Sequence, residues 1–409
     1  MKKYIWVILF TLLIITGCDK KVTIENIIHE DYSKLPENAY INVNKEIEVF
    51  TEPNIKDIVD TNLELTDIKL DTETIGENKV LIEYTYEGKS SKYEFKYTVV
   101  DKTAPIFLSA STYRTIQLHD DDNPCDSINI ADNYTSVPTC EIIGDYNYEQ
   151  IGTYKVKYQI KDESNNINER DLTINIVKEL PSGGGSSGGS TDSGLSFSYL
   201  KNKYSEANTE FGIDISKWQG DLTVDNFKEI KNAGATFVMM RIAVSNKPEE
   251  TLATDTKYKN NIKNAKEAGL KVGVYVYNTA INEKMARETA QYVLKELNGE
   301  ELDYPIVFDW ENWSKFRTYQ ISIHELNKTF LAFADELEKN GHKAMLYGSK
   351  HYLEIMWEDK VKNNYPVWLA HYTSNTKTNY EGKYMMWQIC SDGIIPGIKG
   401  FVDVDILYK

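Results

Sequence analysis

Residues 231–244, KNAGATFVMMRIAV, and residues 260–278, NNIKNAKEAGLKVGVYVYN, decide how this chain is read. In each, a polar stretch of helical character stops at a glycine, Gly234 or Gly269, and a largely apolar run follows. Glycine just past the last helical residue ends a helix, and a near-continuous apolar run of that length is a strand buried on both faces. The alternation extends both ways. Strand candidates are FGIDIS (211–216), ATFVMMRIAV (235–244), KVGVYVYN (271–278), PIVFDWE (305–311), KAMLYGS (343–349), PVWLAHY (366–372), MMWQIC (385–390) and VDVDIL (402–407). Helices at 221–233, 258–268, 283–297 and 322–339 separate the earlier ones, and little helix is left between the last three. Strands joined by helical crossovers predict an α/β barrel of parallel strands, TIM-like and irregular towards its end, with a doubly wound sheet as the runner-up.

Upstream the texture is different. From 38 to 180, Val, Ile, Tyr and Thr alternate with polar residues between short turn clusters, which is strand patterning. This region repeats. Ile75-Gly76 and Ile151-Gly152 each begin a pair of strands, turning at Glu87-Gly88-Lys89 and at Glu163-Ser164-Asn165. The junction Val100-Asp101-Lys102-Thr103-Ala104-Pro105 separates the units. They resemble bacterial immunoglobulin-like repeats, which end in this kind of D-x-T-A-P junction. The second unit keeps that family's Asp-Asn pair at Asp132-Asn133, and the first lacks it. Pro181 to Ser190 is a Gly/Ser linker by composition.

At the start, Lys2 and Lys3 precede an apolar run from Tyr4 to Ile15, the layout of a secretory signal and too short for a comfortable membrane span. The run ends Ile15-Thr16-Gly17-Cys18, which resembles a bacterial lipobox and implies lipidation of Cys18. The expected organisation is therefore a lipoprotein signal peptide (1–17), a lipidated tether (18–37), two all-β immunoglobulin-like sandwiches (38–104 and 105–180), a linker (181–200) and a catalytic barrel (201–409). The expected location is the extracytoplasmic face of a bacterial cell membrane, lipid-anchored and facing the wall. Cys125 and Cys140 bracket a short turn-rich segment, and in an exported protein a disulfide there is worth about 3 kcal/mol. Cys390 is left over and reads as a buried thiol.

The 409 residues carry a net charge of −16, which leaves no basic surplus to neutralise phosphates and excludes nucleic acid as a partner. No His/Cys group has zinc spacing and no Gly-rich phosphate loop follows a strand, so neither a metal nor a cofactor is expected. The chemistry is in the acids. Asp309 and Glu311 stand at i and i+2 in PIVFDWE, which puts both on one strand face and Trp310 on the other. Asp214 ends the first barrel strand, and Asp403 and Asp405 form a second i, i+2 pair in the last. First and last strands are neighbours in a closed barrel, so Asp214 and Asp403 can converge. Crowded carboxyls hold one proton by mutual repulsion, and glycoside cleavage needs a protonated carboxyl together with negative charge.

FGIDISKWQG, KNAGATFVMMR, NNIKNAKEAGLKVGVYVY, YPIVFDWE, YPVWLAHY, MMWQI and PGIKGFVDVDIL occur here in the order seen in glycoside hydrolase family 25, which this part of the chain resembles. The resemblance implies a lysozyme (N-acetylmuramidase) that cuts β-1,4 bonds between N-acetylmuramic acid and N-acetylglucosamine in peptidoglycan, with net retention. It implies Glu311 as acid/base, Asp309 as its partner carboxylate, and Asp214 and Asp403 as further catalytic acids. It also implies Tyr275, Tyr277, Trp368, Tyr372, Trp387 and Gln388 as groove residues. A glutamate common after the family's second strand is missing, since the chain reads Arg241-Ile242-Ala243-Val244-Ser245-Asn246 there. The competing readings are a wall-binding module without catalysis and a surface adhesin.

Overall fold

The structure, a computed structural model, describes residues 32–43, 46–180 and 194–409. The signal segment, Cys18 and most of the linker lie outside them. The chain divides into two compact units. One takes in residues up to 47 together with 51–99, and the other 48–50 together with 100–409.

In the first unit, the repeated strand pair is a long hairpin. Gly76–Tyr86 and Lys89–Val100 run antiparallel, with Gly76 opposite Val99 and Tyr86 opposite Lys89. The turn is therefore the two residues Glu87 and Gly88, both at positive φ, rather than three. Two-residue turns of this hand match the twist of the strands they join, and glycine takes the second position without strain. Ile82, Tyr84, Phe95, Tyr97 and Val99 alternate inward to its core. A separate two-stranded sheet pairs Ile41–Val43 with Val59–Thr61.

The second unit repeats the hairpin with Gly152–Lys161 and Ile167–Val177. Thr139–Ile143 extends that sheet antiparallel on one side, and Tyr113–Gln117 extends it parallel on the other. Ile106–Ser109 and Asn129–Ala131 form a second small sheet. Cys125 and Cys140 are joined, with Cα atoms 5.8 Å apart.

The rest of this unit is the barrel. Its elements are β1 (Thr209–Ile215), α1 (Val224–Ala233), β2 (Phe237–Val244), α2 (Tyr258–Glu267), β3 (Lys271–Tyr277), α3 (Glu283–Leu297), β4 (Ile306–Asp309), α4 (Ile323–Lys339), β5 (Ala344–Ser349), β6 (Val367–Ala370), β7 (Met386–Ile394) and β8 (Val402–Tyr408). Each strand pairs with the next, and β8 returns to β1, so the barrel closes. From β1 to β7 the pairing is parallel. The expectation of parallel strands fails at β8, which is antiparallel to both neighbours. No helix intervenes between β7 and β8. A direct return can only be antiparallel, because a parallel return needs a crossover of a dozen or more residues.

Capping chemistry sets where the helices begin. Thr223 and Asn226 form a reciprocal capping box for α1, and Ser322 and Glu325 form one for α4. Gly234 closes α1 in the left-handed conformation. Strand alternation then splits the apolar residues into two cores. Phe237, Met239, Val307, Met345, Trp368, Met386 and Leu407 fill the barrel interior. Val238, Met240, Val272, Val274, Phe308 and Leu346 face outward into a larger core. Gly212 and Gly273 leave room for the interior. A Cβ on either would come within 2.5 Å of the Phe237 ring or of Met239 Sδ.

The second β segment packs against the barrel. Leu108 and Ala131 belong to the same apolar core as Phe316, Ile321 and Leu326. Arg317 Nη2 donates to the carbonyls of Cys125 (3.1 Å) and Ile128 (3.0 Å). At the start of α4, the Ile323 and His324 amides donate to the carbonyls of Asp132 and Asn133 at 2.8 and 3.2 Å. Those are N–H groups a helix start cannot bond internally.

Candidate active site

The C-terminal ends of β1 to β7 surround one open cavity of about 340 Å³. Asp214, Asp309, Glu311 and Asp403 all line it. Asp214 sits one residue from the end of β1. Asp403 lies directly opposite it in the ladder. It reaches this end of the barrel from the beginning of a strand, because β8 runs the other way.

The Asp309 and Glu311 arrangement differs from the sequence expectation. β4 ends at Asp309, and Glu311 stands in the irregular segment beyond it. Trp310 still points the opposite way, fully buried, with its indole N–H on the Ala280 carbonyl at 3.0 Å. That anchor returns both acids to the cavity although the strand has stopped. The Asp309 carbonyl is itself fixed by the Asn278 amide at 2.9 Å and by Asn278 Nδ2 at 3.0 Å.

The electrostatics follow from crowding and burial. Burial raises the Asp309 carboxyl well above the usual carboxylate range, and the charge of Glu311 and a hydrogen bond with it push the same way. Glu311 is exposed at the mouth, yet the walls desolvate its carboxyl enough to raise its pKa, against the bond to Asp309, which lowers it. Two carboxyls hydrogen-bonded to each other share a proton, and its titration belongs to the pair. A second pair lies across the cavity. Burial raises Asp214 well above its ordinary value, followed by the charges of Asp403 and Asp405. Asp405 is fully buried behind it, raised by burial and by Asp403, and held by the Trp368 indole N–H at 2.9 Å. Asp403 is pushed up to about 6 by burial, with Glu311 adding repulsion.

Gln388 connects this system. Its Oε1 accepts from the hydroxyls of Tyr347 (2.9 Å) and Tyr372 (2.7 Å), so its Nε2 faces Asp214 Oδ2 and donates at 2.8 Å. Tyr275, Tyr277, Trp368 and Tyr372 all line the cavity. Tyr275 meets Trp368 edge to face at 6.0 Å, and burial raises the Tyr277 hydroxyl to about 12. Trp387 does not join them. It alternates with Gln388 along β7, is 1% exposed, stacks edge-on with Tyr204 and donates to the His371 carbonyl. It is a residue of the outer core, not of the groove.

Six lining residues escaped the sequence reading: Ile215, Ser216, Trp218, Gln219, Arg241 and Tyr347. Tyr347, in β5, was legible by period-two alternation. Arg241 lines the cavity from β2, and its guanidinium is held by Asp255 Oδ2 at 2.8 and 2.9 Å. Nothing in the spacing of Arg241 and Asp255 announces that pair. Trp218 stands 77% exposed at the rim, presented by a short helical turn that Ser216 caps. Its exposure depends on that turn and could not be read from composition.

Residues 213–398 match the family model Glycosyl hydrolases family 25. That stretch of the chain is similar to the family. The match ends before β8, so Asp403 and Asp405 lie beyond it. An autolytic lysozyme of Clostridium acetobutylicum is 29% identical over 194 residues, covering 47% of this chain and 54% of that protein. The chain thus spans about half the length of that relative. The uncharacterized protein YegX of Escherichia coli K12 is 26% identical over 199 residues, 48% of this chain and 69% of that protein. Among solved structures, a bacterial lysozyme from Streptomyces coelicolor is 22% identical, covers 49% of this chain and 92% of its own, and has a TM-score of 0.40.

Proposed function

We propose that the barrel of this chain is a peptidoglycan hydrolase of the lysozyme type, cleaving the β-1,4 bond between N-acetylmuramic acid and N-acetylglucosamine. The observation that carries the reading is the proton-sharing Asp309–Glu311 pair facing Asp214 and Asp403 across one open cavity. Glycoside cleavage needs one carboxyl that stays protonated to deliver a proton to the leaving oxygen. It needs negative charge on the other side of the sugar to stabilise an oxocarbenium-like transition state. Glu311, at the mouth, is placed to be the acid, and buried Asp309 supplies the neighbour that holds the shared proton. Asp403 supplies the charge, with Asp214, oriented by Gln388, opposite it in the ladder. Tyr275, Tyr277, Tyr372 and the exposed Trp218 offer ring faces of the kind that sugars stack against. The domain match and the autolytic lysozyme support the substrate class.

The remaining assignments belong to the same proposal. The barrel is a TIM-like variant, and each β segment, built of two small sheets, is an immunoglobulin-like sandwich within the limits 38–104 and 105–180. Cys18 is lipidated and tethers the chain to the outer face of the cytoplasmic membrane, and the β segments act as a spacer towards the wall. The activity is then local remodelling of the cell's own wall.

The test is digestion of purified peptidoglycan by the full chain, followed by borohydride reduction and identification of the new reducing ends. Reduced muramic acid is expected. Reduced glucosamine would overturn the bond assignment, and no new ends on several peptidoglycan types would leave a wall-binding module.

A further inference from the structure

A second group of buried acids lies far from the cavity in sequence and plays no part in the chemistry above. Asp101, from the junction between the β segments, Asp132, after the strand Asn129–Ala131, and Asp162, at the hairpin turn of the second β segment, bring one carboxylate oxygen each to within 4.8 Å of one another. All three side chains are buried, at 5%, 1% and 5% exposure. Sixty residues of chain separate the first from the last, so local turn chemistry does not explain the convergence.

The hydrogen bonds leave specific oxygens over. Asp132 Oδ2 accepts from the amides of Tyr134 (3.0 Å) and Thr135 (2.7 Å), while its Oδ1 is buried without a partner. Asp101 Oδ1 accepts from the Thr103 amide at 3.1 Å and from Asn133 Nδ2 at 3.4 Å, while its Oδ2 is buried without a partner. Asp162 accepts from the Asn166 amide (2.7 Å) and from Asn166 Nδ2 (2.8 Å). Asn133 Oδ1 is a third unpartnered oxygen beside them. No lysine, arginine or histidine is paired with any of the three acids among the described residues. Buried carboxylates without a counter-charge are costly, and native folds resolve the cost by pairing, protonation or a metal.

We propose that Asp101, Asp132 and Asp162 form a calcium-binding site in the second β segment. Calcium takes oxygen ligands at 2.3–2.6 Å, so the oxygens of one shell lie within about 5 Å of one another, a limit these three meet. Magnesium, at 2.0–2.1 Å with strict octahedral geometry, needs a tighter set. The amides already bonded to each carboxylate fix the ligands beforehand, and the Asn133 amide oxygen and water complete the shell. The site also touches the seam with the barrel, because the Asp132 and Asn133 carbonyls accept the first amides of α4. Calcium therefore stiffens the loop that docks the β segment on the barrel. The inference stands on these residues alone and does not require the hydrolase reading.

The test is calorimetric titration of calcium into the chelator-treated full chain, with thermal unfolding measured alongside. One calcium ion per chain is expected, with a Kd on the order of 10⁻⁵–10⁻³ M and weaker binding of magnesium. Tm should rise by several degrees at saturating calcium. D132N and D162N should each weaken binding at least tenfold, while D309N in the barrel should bind as wild type does. Should the cluster variants fail to fold, hydrogen exchange in the wild type decides. Calcium should slow exchange of the Thr103, Tyr134, Thr135 and Asn166 amides. Absence of binding at millimolar calcium, unchanged exchange at those amides, or loss of binding in D309N instead would overturn the proposal.

Discussion

Two clusters of crowded carboxyls occur in one compact unit of this chain, and they differ in what surrounds them. The barrel cluster opens on a cavity, is ringed by tyrosines and a tryptophan, and is threaded by Gln388 and the Trp368 indole. The β-segment cluster is closed and bonded mainly to main-chain amides, with two asparagine side-chain amides and leftover oxygens beside them. Repulsion is common to both. In the barrel, acids hydrogen-bonded to one another hold a proton beside an open space where a substrate can enter. In the β segment, fixed acids hold a small volume of negative charge that suits a hard cation. Solvent access and the kind of partner, not the count of acids, separate a catalytic cluster from a binding one.

Neutralising one acid in each cluster tests this contrast most strongly. D309N should cut peptidoglycan turnover by about 10²- to 10⁴-fold, the scale of an acid/base contribution, with thermal stability kept or raised. Wild-type turnover by D309N would break the comparison. D132N should instead raise the Tm of the calcium-free chain, by removing uncompensated charge, and abolish the rise that calcium gives. A Q388A chain comes next. It leaves the Tyr347 and Tyr372 hydroxyls without their acceptor and Asp214 without its donor. Its kcat should fall about tenfold to a hundredfold, on the order of 1–3 kcal/mol, with KM less affected.

The pH response has a definite sign. Asp132 and Asp403 have folded-state values of about 6, raised above the ordinary carboxylate value. The folded chain then binds more protons than the unfolded one between about pH 4 and 6, so stability is fully present below that window and declines as pH rises through it. Calcium should remove the Asp132 part of that decline, which unfolding midpoints measured from pH 4 to 8 with and without calcium would reveal. The smallest effect is at the seam. R317A frees the carbonyls of Cys125 and Ile128 and should cost about 1–3 kcal/mol, read as a lower Tm or as a split of one unfolding transition into two.

Much of the barrel was legible because its strands are buried on both faces and its helices stop at glycines. β1 to β7 and α1 to α4 follow from that pattern. The direction of β8 does not, since a strand reads the same from either end. Only the missing crossover between β7 and β8 carries that information. The positions of Asp214 and Asp309 at one mouth were foreseeable from strand ends, whereas Asp403 reaches it only because β8 runs the other way, and Glu311 from beyond a strand that stops two residues early. Trp387 was misplaced because its neighbour Gln388 takes the inward position, and one step along a strand exchanges faces. Arg241, Trp218 and the Asp101–Asp132–Asp162 group depend on loops whose course no local spacing reports.

The central claim is that Glu311 delivers the proton that lets the glycosidic oxygen leave. The direct measurement compares E311Q with wild type on peptidoglycan and on an aryl β-glycoside of the same disaccharide, whose phenolate leaves without a proton. The account predicts a loss of about 10²- to 10⁴-fold on peptidoglycan and a far smaller loss on the aryl glycoside. Equal losses on both substrates would contradict it, and would give Glu311 a role other than that of the acid.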